Sequence, residues 1–376
     1  MEKSAPGRVP AETADVAHQR SDKKSHTPVQ GQLYRSEEAR RGVQELERAL
    51  LGANQTLKRR EVAEEAEVSL LSARKVWRAL GLPNLTDDDA YFTPTDAVAL
   101  KTITSLVKHG KLSEDATLSI TRSIGQMMDR MVVWQIETLV EDMVINGGLT
   151  DVEARSKLLE LMPKLIEDLE NITVYGYRRM LNSAILRLAL RDEEEGTTLD
   201  DTDLPLARGV GFVDLVSYTS LSREMNERNL AKLVKHFEQR CAEVIAVGGG
   251  RIIKTVGDEV MYLVESPQDG ARIALTLSKL ISEDPLLPEA RVSFVWGRVL
   301  PRLGDIYGPT VNLASRLVAL TEPGVVLTDM STAEALDGDS KFVLIPQGVR
   351  NVRGFGNVMP VAITPGIGNE LEIDFE

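Results

Sequence analysis

The chain has 376 residues, enough for two domains of ordinary size. With 27% charged and 5% aromatic residues it has the make-up of a soluble globular protein, and a net charge of −13 excludes a general basic footprint for nucleic acid or anionic lipid. A single cysteine, Cys241, excludes an internal disulfide framework and fits a reducing compartment.

In chain order, residues 1–34 are polar, proline-containing and without apolar period, which predicts a disordered tail. The N-terminus lacks a signal-peptide core, and no apolar run reaches the ~20 residues of a membrane span, so a cytoplasmic location is expected. Residues 35–190 carry apolar residues at helical spacing, as in EEARRGVQELERALL and VEARSKLLELMPKLIEDLENITVYGYRRMLNSAILRLAL, and predict an all-helical domain.

Within that domain, TLKRREVAEEAEVSLLSARKVWRALGLPN predicts a helix-turn-helix, with a first helix over REVAEEA, a turn at EVS and a second helix over SARKVWRALG. A DNA-reading use would rest on Arg74, Lys75 and Arg78 of the second helix. Glu61, Glu64, Glu65 and Glu67, and the acidic chain around them, speak against it, and such units also serve as packing modules. The apolar stretch Met127 to Val144 fits a core, a dimer seam or a lipid pocket. His109, and His236 further on, are the candidate groups for a pH response, but their polar settings fit a role without switching.

Residues 191–205, RDEEEGTTLDDTDLP, are acidic and nearly free of apolar side chains, and predict an exposed linker. From 206 to 376 strand-like runs (ARGVGFVDLVSYT, RIIKTV, VMYLVE, ARVSFVWGRVLP) alternate with helical ones. The order β-α-β-β-α-β predicts a ferredoxin-like split βαβ unit, an antiparallel-type sheet covered on one face by helices. The fold class is α+β, with the all-α domain ahead of it.

The chemistry-bearing residues lie in this second domain. Asp214 ends an apolar strand, and Asp258 sits in a Gly-Asp turn between two further strands, placed beside the first by the split βαβ order. Taken singly, each is ordinary turn chemistry. Together, without His or Cys beside them, they make a hard oxygen site suited to Mg²⁺ or Mn²⁺, and magnesium so held completes its shell with substrate phosphates. That points to a nucleoside triphosphate. In GDIYGPTVNLASRL, Asp305 and Tyr307 precede a Gly-Pro break. Asn312 and Arg316 then share one face of a helix, where they suit either phosphate neutralisation or a solvated surface couple.

FVDLVSYT, KTVGDEVM and DIYGPTVNLASRL together resemble the signature motifs of the class III nucleotidyl cyclases, in order and near the usual spacing, over residues from about 207 to the end. The resemblance implies an adenylate cyclase that converts ATP to cyclic AMP and pyrophosphate. In it Asp214 and Asp258 hold two Mg²⁺ or Mn²⁺ ions, while Lys254 and Asp305 contact the adenine, positions that carry Glu and Cys in guanylyl relatives. Asn312 orients the ribose, and Arg316 stabilises charge developing on the phosphates. It further implies a head-to-tail homodimer with two shared sites, each taking Asp214 and Asp258 from one chain and Lys254, Asp305, Asn312 and Arg316 from the other. The segment GRVLPRLG, with Arg298 and Arg302, departs from the usual forms of the family.

A helix-turn-helix followed by DAYFTPTDAVALKTI resembles the DNA-binding part of MerR-type regulators. A helical half ahead of a cyclase half is similar to actinobacterial soluble cyclases whose N-terminal domains restrain catalysis and respond to pH. That implies regulation by a proton, small-molecule or lipid signal. Two rivals stand beside this reading. VGDEV is also similar to the turn of diguanylate cyclases, against which the Asn312–Arg316 helix and the Lys254–Asp305 pair speak. The other is a DNA-binding regulator that senses nucleotide without turnover.

Overall fold

A computed structural model describes residues 37–83, 86, 89–194, 206–302, 304–368 and 371. The expected disordered tail and most of the expected linker lie outside the described residues. The chain divides into two compact units, Met1–Leu190 and Arg191–Glu376.

The first unit is all-helical, with α1 (Glu37–Leu51), α2 (Arg59–Glu65), α3 (Leu70–Leu80), α4 (Pro94–Lys108), α5 (Glu114–Ile145) and α6 (Asp151–Glu194). α6 thus extends to Glu194, beyond the point where composition placed the linker. Local chemistry sets the ends: the Ser69 hydroxyl accepts from the Ser72 amide at 3.1 Å, and Gly81, at φ 87°, closes α3 in the left-handed conformation that glycine adopts without a Cβ penalty. α2 and α3 form the expected helix-turn-helix. They are closed over a core of Val62, Ala73, Val76, Trp77, Phe92 and Leu100, in which Trp77 stacks on Phe92 at 4.6 Å.

α5 packs along α3, and Gly125 makes the approach possible, because a Cβ there would sit 2.3 Å from the Leu80 carbonyl oxygen. In a free helix Gly→Ala gains about 1 kcal/mol. Here the clash with rigid backbone outweighs that gain, so Gly125→Ala is expected to destabilise the first unit by about 1–3 kcal/mol. A thermal melt followed by circular dichroism checks it, and an unchanged or raised melting temperature would refute the close packing.

The second unit begins with β1 (Leu206–Leu215), α7 (Tyr218–Glu224), α8 (Glu227–Val247), β2 (Arg251–Val256), β3 (Glu259–Val264), α9 (Pro267–Glu283) and β4 (Ala290–Arg302). It continues with β5 (Asp305–Tyr307), α10 (Pro309–Leu320), β6 (Val326–Thr328), α11 (Met330–Leu336), β7 (Phe342–Pro346), β8 (Arg350–Val352), β9 (Gly356–Val358) and β10 (Val361–Pro365). The main sheet runs β2-β3-β1-β4-β6-β10-β7, with β5 paired to β4. Its first four strands have the ferredoxin-like order, all antiparallel to their neighbours, and β6 then adds in parallel to β4.

Side chains alternate along each strand, so the sheet has two apolar faces. One joins Val213, Leu215, Val260, Tyr262, Val292 and Phe294 to the helices α8 and α9. Gly211 lies on this face, where any side chain would overlap the Tyr262 ring, whose hydroxyl donates to the Gly270 carbonyl at 3.2 Å. The opposite face joins Val210, Phe212, Met261, Leu263, Val295 and Val299 to Ala314, Leu317 and Val318 of α10. The expectation of helices on a single face is therefore corrected: GPTVNLASRL folds as a helix against the second face, because Ala314, Leu317 and Val318 form an apolar stripe that matches it. Cys241 is fully buried in the first core, and burial, aided by Glu238, pushes its thiol pKa far above the ordinary value, which leaves it inert.

Candidate active site

The carboxylate pair is assembled by strand register. β1 lies between β3 and β4, and Asp214 stands opposite Glu259 on one side and Arg291 on the other. Gly257, at φ 63°, allows the two-residue turn from β2 to β3, and the Leu215 amide donates to the Asp258 carbonyl oxygen at 3.2 Å, which ties that turn to the end of β1. Asp214 and Asp258 therefore come together, as expected.

Their electrostatics are those of a site short of positive charge. Burial raises the Asp214 pKa, the neighbouring Asp258 charge raises it further, and only Arg291 opposes. Burial likewise raises Glu259, reinforced by Asp214 and Asp258 and opposed by Lys254. A cation placed between the carboxylates would relieve both effects. The donors present are hard oxygens, and among the described residues no group of three metal-type ligands gathers. Two carboxylates with the remaining coordination open suit Mg²⁺ or Mn²⁺ that also binds phosphate, and do not suit zinc.

Lys254 of β2 and Asp305 of β5 also meet: Nζ lies 2.7 Å from Oδ2, in a part-buried setting. Burial opposes ionisation of Asp305, but the Lys254 hydrogen bond and charge, with the Ile306 amide, hold its carboxyl below the usual range. The pair is thus a preformed donor–acceptor couple. β4 continues as a strand through the unusual GRVLPRLG segment to Arg302, and the hairpin it forms with β5, Arg302 opposite Asp305, delivers Asp305 to Lys254.

Asn312 and Arg316 share one face of α10, as their spacing requires, and both are exposed. The buried side of that helix is Ala314, Leu317 and Val318, nearly opposite them on a 3.6-residue wheel. Among the described residues neither makes a hydrogen bond or ion pair with the carboxylates of its own chain. A single chain thus assembles two of the expected groups and points the third outward.

Sequence reasoning missed Glu259 and Arg291. Glu259 directly follows Asp258, yet only the register with β1 shows that it faces Asp214. Arg291 has its Nε buried with no hydrogen-bond partner, in step with Asp214 on the α10 side of the sheet. Nothing in ARVSFVW singles it out before the β1–β4 pairing is known.

In the first unit, Lys75 of the would-be reading helix is engaged by Glu114 of α5 at 2.5 Å, and α3 lies against α5. His236 of α8 stands 2.7 Å from Asp284, which also meets Arg240 at 3.5 Å. No helix is long and apolar enough to cross a membrane among the described residues.

No protein-family model matches the chain. An adenylate cyclase of Glutamicibacter nicotianae is 51% identical over 98% of this chain and 93% of its own length. An adenylate cyclase of Streptomyces coelicolor is 35% identical over 85% of this chain and 88% of its own. A pH-sensitive adenylate cyclase of Mycobacterium tuberculosis is 26% identical over 78% of this chain and 75% of its own. Among solved structures, the adenylyl cyclase CyaB from P. aeruginosa matches 43% of this chain and 96% of that one at 22% identity and a TM-score of 0.39, too loose a superposition to add to the assignment. Identity of 51% to one adenylate cyclase along nearly the whole chain, and of 35% to a second along most of it, places the chain in the adenylate cyclase family.

Proposed function

We propose that the protein converts ATP to 3′,5′-cyclic AMP and pyrophosphate at two sites shared between the subunits of a homodimer. The observation that carries this reading is the division of the site. Asp214 and Asp258 sit together on the sheet, while Asn312 and Arg316 of the same chain stand on the outward side of α10. A second copy in head-to-tail orientation supplies what each chain lacks, and a two-fold arrangement completes two sites at once.

The roles are those that the resemblance to class III nucleotidyl cyclases implies for each position. Asp214 and Asp258 would hold two Mg²⁺ or Mn²⁺ ions, which supply charge for activating the ribose 3′-hydroxyl and for clamping the triphosphate. Arg291, half-buried beside Asp214 with its Nε buried and without a hydrogen-bond partner, supports phosphate from the same side. Lys254 donates to a ring nitrogen of adenine, and Asp305 accepts from its exocyclic amine. Asn312 orients the ribose so that the 3′-oxygen lies in line with the α-phosphorus. Arg316 neutralises negative charge as the P–O bond to pyrophosphate breaks, and the protein contributes no covalent nucleophile.

Replacing both base-reading residues, Lys254→Glu with Asp305→Cys, tests the assignment. The ratio of kcat/KM for ATP to that for GTP is expected to fall at least ~10²-fold, because a site built for hydrogen bonds rejects a base that leaves them unpaired. Equal loss for both nucleotides would show that the pair is structural. The Lys75–Glu114 contact and the burial of α3 against α5 favour a packing role for the helix-turn-helix over DNA reading. The pH sensitivity of the Mycobacterium tuberculosis relative supports a protonation signal here, which we assign to the first unit.

A further inference from the structure

Glu259 stands in one row with the carboxylate pair and Arg291. Across β2, β3, β1 and β4 the register sets Val256, Glu259, Asp214 and Arg291 side by side. Directly opposed residues share a face of the sheet, and here it is the face that α10 packs, because Met261 and Phe212, two positions from Glu259 and Asp214, belong to its core. Residues so opposed hold their Cβ atoms about 5 Å apart, and two like charges at that separation repel. Glu259 thus faces Asp214 at close range and follows Asp258 in the chain.

Folding alone gives no reason for this placement, since the repulsion costs stability. Glu259 is half-buried, and among the described residues its carboxylate makes no hydrogen bond or ion pair. A counterion for Lys254 is the plain alternative. Lys254 lies on the same face, diagonal to Glu259 across β2 and β3, yet its Nζ is turned to Asp305 at 2.7 Å, so the lysine already has its carboxylate. Direct coordination beside Asp214 and Asp258 is not the answer either, because among the described residues no three metal-type side chains gather. Magnesium gives up water reluctantly and keeps several molecules in its shell, and carboxylates outside the shell that accept from it orient the site and raise its affinity.

We infer that Glu259 is a positioning residue of the cation site, its carboxylate accepting hydrogen bonds from water retained by an ion that Asp214 and Asp258 hold. The inference rests on the reading of that pair as a cation site. It adds a third negative charge on the β3 side of Asp214, opposite Arg291 on the β4 side, and leaves the ion's direct positions to Asp214, Asp258 and phosphate.

Titration of the full chain with Mn²⁺, the free ion being counted from its electron paramagnetic resonance signal, tests this without turnover. Glu259→Gln keeps the shape and removes the charge, whereas Glu259→Asp keeps the charge on a shorter stem. The Mn²⁺ dissociation constant is expected to rise ~10-fold or more for the glutamine variant, the scale of a lost outer-shell partner, with the aspartate variant between it and the unmutated chain. The melting temperature of the metal-free glutamine variant should stand at or above that of the unmutated chain, because a repelling charge has gone. The ratio of kcat/KM for ATP to that for GTP should stay within about threefold, since Lys254 keeps Asp305. Loss of affinity together with a melting temperature several degrees lower would place Glu259 in the architecture instead. A nucleotide ratio that collapses while Mn²⁺ affinity holds would make it the counterion of Lys254. Asp258→Asn separates the inference from the reading beneath it. Affinity lost with Asp258→Asn but kept within about threefold by Glu259→Gln sinks the role of Glu259 alone, whereas affinity that neither substitution changes sinks the cation site and Glu259 with it.

Discussion

Arg316→Ala is expected to lower cyclic AMP formation at saturating ATP by about 10³-fold, the scale at which an arginine stabilises charge in phosphoryl transfer. The loss should fall on kcat, with KM for ATP moved far less, because the guanidinium acts on charge that develops only as pyrophosphate departs. The fold should not notice. Arg316 is exposed on the outward side of α10 and, among the described residues, makes no side-chain hydrogen bond or ion pair, while Ala314, Leu317 and Val318 carry the packing. An unchanged melting temperature with collapsed turnover separates a chemical role from a structural one. A variant that loses turnover and several degrees of stability together would place Arg316 in the architecture instead.

Asp258→Asn is expected to abolish metal-dependent turnover, a loss of ~10³-fold or more, and at the same time to stabilise the metal-free protein. The sign follows from linkage. Burial and the Asp258 charge raise the Asp214 pKa in the folded state. An acid whose folded pKa lies above its unfolded value costs stability at any pH above both, so removing the repelling neighbour returns part of that cost. The melting temperature without metal should rise, and the further rise that Mn²⁺ gives the unmutated protein should disappear. A lower melting temperature without metal, or a Mn²⁺ shift that survives the substitution, would mean that Asp258 is a turn residue and not part of a cation site.

Much of this arrangement was legible in the sequence because local rules carry it. Gly257–Asp258 between β-branched runs specifies a hairpin, and the β-α-β-β-α-β order places that hairpin beside β1, so the pairing of Asp214 with Asp258 follows from topology. The Lys254–Asp305 contact was expected only through family resemblance, since 51 positions separate the two and no local rule links them. What escaped was set by non-local register. Arg291 and Glu259 became neighbours of Asp214 only once β1 was paired with both β3 and β4. The position of α10 escaped for a related reason: its apolar stripe reads as an amphipathic helix, but nothing local says which face of the sheet it will cover. The length of α6 past residue 190 escaped because composition at RDEE reads as linker, while a helix already formed continues through such residues at little cost.

The division of each site between two chains is the claim on which the rest depends, and complementation tests it most directly. Asp214→Ala and Arg316→Ala, each purified and inactive alone, are mixed in equal amounts, allowed to exchange subunits, and assayed for cyclic AMP with ATP and Mn²⁺. Random pairing makes half the dimers mixed, each with one intact and one doubly impaired site, so activity should return to about a quarter of the unmutated level. An active unmutated protein whose two variants stay silent together after proven exchange would contradict the shared site and confine catalysis to a single chain.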